Sequence, residues 1–234
     1  MKANDLILSF DLGTSSIKLI LVDSDLNIIK QEKFDLQAQK NYNVSLQPIQ
    51  LWLKGLKKLI GKIPSSMGSR ITDISFTGQM HGLVALDKSQ KPVYPCITWT
   101  HTESQNEVNI LKEKFPDNHL KHGNIFSTGY MVSSLMWLQK NHKKIFSKIK
   151  YCLFPKDYIR FLFTQKINTD YSDASSSGFY NFQKKDWDQE IIQFLDGNHI
   201  NFPEIKKSNH YELLAEASPF SNYFPEKVRI YTGM

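Results

Sequence analysis

The chain has 234 residues, 41% of them hydrophobic and 22% charged, ordinary values for a folded protein that exclude an intrinsically disordered one. At about 150 residues per domain, the length allows one large domain or two small ones, with enough core to fold without disulfides or structural metals. Lys and Arg outnumber Asp and Glu by 29 to 23, a net charge of +6, but only Arg70, Arg160 and Arg229 are arginines. A scattered lysine surface, densest at Lys54, Lys57, Lys58, Lys62 and at Lys140, Lys143, Lys144, Lys148, Lys150, argues for solvation over base or phosphate reading, in which Arg dominates.

The first forty residues read as strands. Leu6-Ile7-Leu8-Ser9-Phe10 is a short apolar run that stops at Asp11-Leu12-Gly13-Thr14-Ser15-Ser16. Ile17-Lys18-Leu19-Ile20-Leu21-Val22 follows, then Asp23-Ser24-Asp25, then a looser run over residues 27–36. Strand, polar turn, strand, turn, strand predicts an antiparallel meander. Ile49, Trp52, Leu53, Leu56, Leu59, Ile60 and Ile63 form one helical stripe, with Pro48 at its first turn and Gly61 and Pro64 at its end. Ile71-Thr72-Asp73-Ile74-Ser75-Phe76 predicts a strand that delivers Thr77-Gly78-Gln79-Met80-His81-Gly82, and residues 83–86 a second strand.

Beyond a loop with Pro92 and Pro95, Ile97-Thr98-Trp99 leads to helical stretches near 103–115 and 132–139. Residues 151–154 read as a strand, Pro155 opens a helix through Phe163, residues 169–178 read as a polar loop, and 187–195 as a last helix. This order of elements predicts one α/β domain with a mixed sheet. Cys96 and Cys152 are far apart in apolar surroundings, as buried free thiols of a reducing compartment would be. No run approaches the ~20 apolar residues of a membrane span, and residues 6–10 are too short for a signal sequence. A soluble, cytoplasmic protein is the expectation.

The sequence has no GxxxxGK[ST], GxGxxG, HExxH, CxxC or GxSxG, so the usual signatures of P-loop, dinucleotide, zinc and hydrolase sites are missing. Two segments carry chemistry instead. In Asp11-Leu12-Gly13-Thr14-Ser15-Ser16-Ile17-Lys18 a strand ends in a carboxylate, turns through Gly into hydroxyl residues and meets a lysine. Gly13 permits close backbone approach, the N–H groups and the Thr14 and Ser15 hydroxyls can donate to phosphate oxygens, and Lys18 adds positive charge. Asp11 can hold Mg²⁺ through water. A plain hairpin turn uses the same residue types. In Gly78-Gln79-Met80-His81-Gly82, Gln79 and His81 can hydrogen-bond a polyol while Met80 packs on its carbon skeleton; a loop with an incidental His is the alternative.

Taken in order with Ile97-Thr98-Trp99, Pro155-Lys156-Asp157-Tyr158 and Thr169-Asp170-Tyr171-Ser172-Asp173-Ala174-Ser175, these segments resemble the FGGY family of carbohydrate kinases, most closely its xylulokinase branch. The 170–178 stretch also resembles the family's gluconate kinases. The resemblance implies a ribonuclease H-like, actin-like ATPase domain with a mixed β-sheet flanked by helices. It further implies ATP- and Mg²⁺-dependent phosphorylation of a sugar hydroxyl, in a cleft between two such domains. Asp11 would organise Mg²⁺ and the phosphates as a catalytic residue. Gly13, Thr14, Ser15 and Lys18 would face the phosphate chain. Met80 and His81 would touch a ketose, with Gln79 and Trp99 shaping its pocket. The 170–175 segment would be mainly structural, with Asp173 capping the loop; a spare catalytic acid is the alternative reading of Asp173.

Two departures accompany the resemblance. The chain matches the family's N-terminal half only: residues 1–234 would be the N-terminal domain, stopping just before a general-base Asp, with the second phosphate motif and most of the adenosine site missing. Where many relatives carry Asp and Arg two and four residues after the Trp, this chain has His101 and Glu103. The expectation is the sugar-binding half of a kinase for a ketopentose such as D-xylulose, of very low turnover alone. Gluconate or another polyol as substrate, and a non-catalytic sugar-binding remnant, are the alternatives. A small-molecule sugar, a separate C-terminal half or a second copy are the expected partners, with no nucleic acid and no membrane.

Overall fold

Leu8, Phe10 and Leu12 alternate with Ile7, Ser9 and Asp11, and that period of two sets how the first strand lies: one side enters the core and the other stays half-exposed. The computed structural model describes residues 4–233. In it β1 (Leu6–Leu12), β2 (Ser16–Val22) and β3 (Ile28–Asp35) form the expected antiparallel meander, with Asp11 opposite Lys18 and Ile17 opposite Phe34. The strand Ile71–Gly78 adds to β1 in parallel, bringing Phe76 beside Phe10 and Gly78 beside Leu12. Arg229–Tyr231 pairs parallel with that strand, and Tyr211–Leu213 closes the sheet antiparallel. The result is a six-stranded mixed sheet, in the order 211–213, 229–231, 71–78, β1, β2, β3.

Two helices cover the apolar face. The helix α1 (Ile49–Ile60) buries Trp52, Leu56, Leu59 and Ile60, and its Trp52 ring lies 6.3 Å from Tyr158 of the helix Pro155–Thr164. Phe163 of that second helix meets Phe10 and Phe76 at 5.9 and 5.0 Å. Burial of rings this size, about 25 cal/mol per Å² of apolar surface, supplies the main driving force for the layer. A second apolar cluster gathers Leu83, Ile97, Met131, Leu135, Cys152, Phe154 and Phe179 around the helix Met131–Asn141 and the paired strands Val84–Leu86 and Tyr151–Leu153. Both cysteines are free and buried, as the sequence leads one to expect. Among the described residues no helix is long and apolar enough to cross a membrane.

Two expectations need correction. Residues 169–178 are not a loop: Asn168–Asp170 pairs in parallel with Glu204–Lys206, and Tyr171–Ser175 is a short helix. The last helix is confined to Gln189–Phe194, because Asp186–Trp187 pairs with Tyr180–Asn181 and Asp188 caps the helix start, accepting from the Glu190 N–H.

Gly55 marks where α1 comes closest to the sheet. A Cβ there would stand 2.7 Å from Phe34 Cδ1 and 2.8 Å from Ile17 Cδ1. Gly55→Val is therefore expected to destabilise the fold by about 1–3 kcal/mol through overpacking, read as a lower urea midpoint. An unchanged midpoint would show that the helix and sheet are not in this contact.

Candidate functional site

Strand register brings the two chemistry-bearing segments together. Leu12 is level with Gly78, and the Gln79 N–H donates to the Leu12 carbonyl at 2.7 Å. The β1–β2 turn and the Gln79–Gly82 segment thus emerge side by side along the edge formed by the C-terminal ends of two central, parallel strands. The turn is tight: the Gly13 N–H donates to the Ser16 carbonyl at 2.9 Å, and a Cβ on Gly13 would press on that oxygen at 3.3 Å. Asp11 and Lys18 face each other across the hairpin at 3.4 Å, both accessible to solvent. Such an exposed pair adds little stability, which leaves both groups open to a ligand.

Thr14 is fixed on three sides. Its carbonyl accepts from Tyr42 Oη at 3.0 Å and from Gln47 Nε2 at 2.8 Å, and its hydroxyl oxygen accepts from the Trp99 indole N–H at 3.0 Å. The hydroxyl proton remains available for an acceptor outside. Trp99 is 43% exposed and Met80 61%, so two large apolar side chains border this edge in water. Single exposed apolar groups are common; two beside polar side chains suit the carbon skeleton of a small ligand.

Gln79 is buried, donates from Nε2 to Gln47 Oε1 at 3.2 Å, and keeps its own Oε1 without a partner. His81 holds a left-handed backbone, φ 56°, an uncommon conformation for a residue with a side chain. Its Nδ1 lies 3.1 Å from the Ser176 carbonyl, and its ring lies over Tyr130 with centroids 4.3 Å apart. A carbonyl only accepts, so Nδ1 carries the proton; burial lowers the ring's pKa, keeping it neutral and leaving Nε2 as an acceptor. Tyr130 was missed by sequence reasoning. Its only local signal is Gly129 before a helix: Gly129 has φ 75°, and a Cβ there would strike the Trp99 carbonyl at 2.5 Å.

His101, expected beside the pocket, is buried with its ring edge-on to Trp137 at 4.7 Å, while Glu103 is largely solvated. Burial lowers the His101 pKa.

The motifs at 155–158 and 169–175 meet in a buried charge cluster. Lys156 Nζ donates to Asp157 Oδ1 at 2.7 Å and to the Thr232 carbonyl at 2.8 Å, with Asp173 Oδ2 at 3.3 Å and Asp170 Oδ1 at 3.8 Å. Burial opposes the ammonium charge, but the three carboxylates outweigh it and hold Lys156 protonated. Burial together with the Asp157 charge pushes Asp173 up to about 7. The expected capping role belongs to Asp170 instead: its Oδ1 accepts from the Asp173 N–H at 3.2 Å and its Oδ2 from Ser208 Oγ at 2.8 Å. Among the described residues no group of three or more His, Cys, Asp or Glu is disposed to hold a metal. Asp11 as a lone accessible carboxylate fits a cation that keeps most of its waters and takes its other ligands from a phosphate chain.

Two stability outcomes follow. Lys156→Met strands three carboxylates and is expected to cost about 3–5 kcal/mol, read by denaturant unfolding; a loss within experimental error would contradict the cluster. Asp173 has a folded pKa above its ordinary 3.8, so the folded state takes up a proton that the unfolded chain binds less tightly. That contribution is present at low pH and lost as pH rises through about 7. The Tm of Asp173→Asn relative to the parent should therefore climb across this window; a pH-independent difference would refute the raised pKa.

The comparisons with known proteins point to one family. The model of the FGGY family of carbohydrate kinases, N-terminal domain, matches residues 6–231. A xylulose kinase of Lactococcus lactis is 30% identical over 234 residues, 97% of this chain and 46% of the relative. A gluconate kinase structure from Lactobacillus acidophilus superposes with a TM-score of 0.85 at 22% identity, covering 98% of this chain and 47% of that one. A xylulose kinase structure from Rhodospirillum rubrum superposes at 0.88 and 17% identity, covering 98% and 48%. The chain thus spans about half the length of the relatives it matches.

Proposed function

The chain belongs to the FGGY family of carbohydrate kinases, and on that premise we propose that it carries the sugar-binding half of an ATP-dependent kinase acting on a ketopentose such as D-xylulose. The observation that supports this reading best is the pairing of an open phosphate-type turn with a polyol-type segment across one hydrogen bond, Gln79 N–H to Leu12 carbonyl. His81 Nε2 is the acceptor for a sugar hydroxyl, the exposed Met80 and Trp99 flank the carbon chain, and the buried Gln79 shapes the pocket from behind. Gly13, Thr14, Ser15 and Lys18 form the phosphate-facing side, and Asp11 would hold Mg²⁺ through water. The nucleotide, when bound, supplies the phosphoryl group to be transferred.

Within this reading each side chain has a defined task. His81 accepts a hydroxyl hydrogen at Nε2 while the Ser176 carbonyl holds Nδ1–H in place, which fixes the ring's tautomer. Lys18 sets positive charge next to Asp11, where phosphate charge would accumulate. Trp99, bonded to Thr14 and bordering the sugar side, keeps the reacting hydroxyl near the phosphate side, and positioning of this kind is most of what a phosphoryl-transfer site does. The remainder of the ATP site is assigned to the part of the relatives that this chain does not span.

Isothermal titration of the chain with D-xylulose, D-ribulose, gluconate and glycerol tests the reading. D-xylulose should bind best. His81→Ala should weaken it about tenfold, the worth of one well-made hydrogen bond to a buried acceptor, while Asp11→Asn leaves sugar binding intact. Because the His81 pKa is depressed, binding should be flat from alkaline pH down to about 6.5 and fall below it, as Nε2 gains a proton and ceases to accept. Heat with none of the four compounds would sink the proposal. So would a His81→Ala variant with the parent's affinity.

A further inference from the structure

Gln47 touches neither the sugar-facing segment's solvent side nor the turn's open face, yet it is bonded to both segments. It lies in the two-residue strand Leu46–Gln47, paired with Cys96–Ile97, just ahead of Pro48 and α1. Its side chain is 1% exposed. Nε2 donates to the Thr14 carbonyl at 2.8 Å; Oε1 accepts from Gln79 Nε2 at 3.2 Å and from the Trp52 indole N–H at 3.0 Å. Trp52 is wholly buried in α1 and stands on the core beneath the sheet.

One amide group therefore ties three elements: the phosphate-type turn, the polyol-type segment and the helix that anchors both. We propose that Gln47 is a positioning residue that sets the Gln79–Gly82 segment at a fixed distance from the β1–β2 turn, so that the two ligand-facing groups are held in one geometry. This deepens the kinase reading and rests on it for the identity of the ligands, but the mechanical claim stands on the three hydrogen bonds alone. Gln is suited to the task because a single side chain must donate in one direction and accept in the other. A carboxylate keeps the two acceptor bonds and turns an oxygen toward the Thr14 carbonyl, and a thioether keeps none. An amide buried this deeply has no bulk solvent to replace a lost partner, so its loss is transmitted to Thr14 and Gln79 rather than absorbed. Displacements of about 1 Å between reacting groups are enough to cost about a hundredfold in rate.

Amide hydrogen exchange on the free chain, with D-xylulose titration beside it, tests the proposal. In Gln47→Met, exchange in residues 13–16 and 79–82 should rise about tenfold or more, while amides within the strand Ile71–Gly78 and α1 keep the parent's rates, and D-xylulose affinity should fall although no sugar contact is removed. Gln47→Glu should keep protection on the 79–82 side and lose it on the 13–16 side, a split that a general loss of stability does not produce. Leu56→Ala serves as a control that lowers stability through the core beneath α1; it should raise exchange evenly. If Gln47→Met leaves both segments protected, or loosens the whole sheet evenly as the control does, the proposal is overturned. If the parent binds no sugar while the exchange split appears, Gln47 positions the two segments and it is the ligand assignment that fails.

Discussion

The candidate site depends on the register between β1 and the strand Ile71–Gly78. Side chains alternate faces along a strand, so a slip of one residue would carry Asp11 into the apolar core and Leu12 into water. That penalty pins Leu12 beside Gly78. With the register fixed, the turn after β1 and the segment after Gly78 must leave the sheet as neighbours. Phe10 stacked on Phe76 at 5.6 Å, with Phe163 packed against both, is the core counterpart of the same constraint. What appears in the sequence as two unrelated motifs sixty-odd residues apart is, in the fold, one edge.

Around that edge the polar side chains serve two different ends. Asp11, Lys18, Met80 and Trp99 are accessible and weakly held, as groups that wait for a ligand are. Gln47, Lys156 and Asp170 are buried and densely bonded, Gln79 is buried on Gln47, and they fix the backbone from which the first set projects. The Lys156 cluster shows the cost of such fixing. One lysine serves three carboxylates, so removing Lys156 leaves uncompensated negative charge in a medium that solvates it poorly, whereas the excess of carboxylates is what raises the Asp173 pKa. Its bond to the Thr232 carbonyl ties the end of the strand Arg229–Tyr231 to the helix Pro155–Thr164 at the same edge of the sheet.

The parts legible in the sequence are those governed by local period. The meander, α1 and the helix from Pro155 follow from alternation or from a 3.6-residue stripe, and a terminal proline or glycine marks their limits. The motif residues were legible as chemistry, and the structure brings the Asp11–Lys18 turn and the Gly78–Gly82 segment together. The helix Tyr171–Ser175 was not legible, because five polar and small residues have no apolar stripe and its cap, Asp170, reads equally well as a turn residue. Tyr130 and Gln47 were missed for another reason. Each acts through partners distant in sequence, Tyr130 on His81 and Gln47 on Thr14 and Gln79, and a single chain of letters gives no sign of such pairings. Asp173 was misassigned because a capping pattern does not say which of two nearby aspartates makes the cap.

The central claim is that one edge of the sheet holds sugar on one side and phosphate on the other. Amide chemical-shift mapping of the isotopically labelled chain tests it most directly, with D-xylulose and Mg²⁺-ATP added separately. D-xylulose should shift residues 79–82, Trp99 and Tyr130, and Mg²⁺-ATP should shift residues 11–18, the two sets meeting at Thr14. Shifts from either ligand that fall elsewhere on the fold, or that are absent from both segments, would contradict the account.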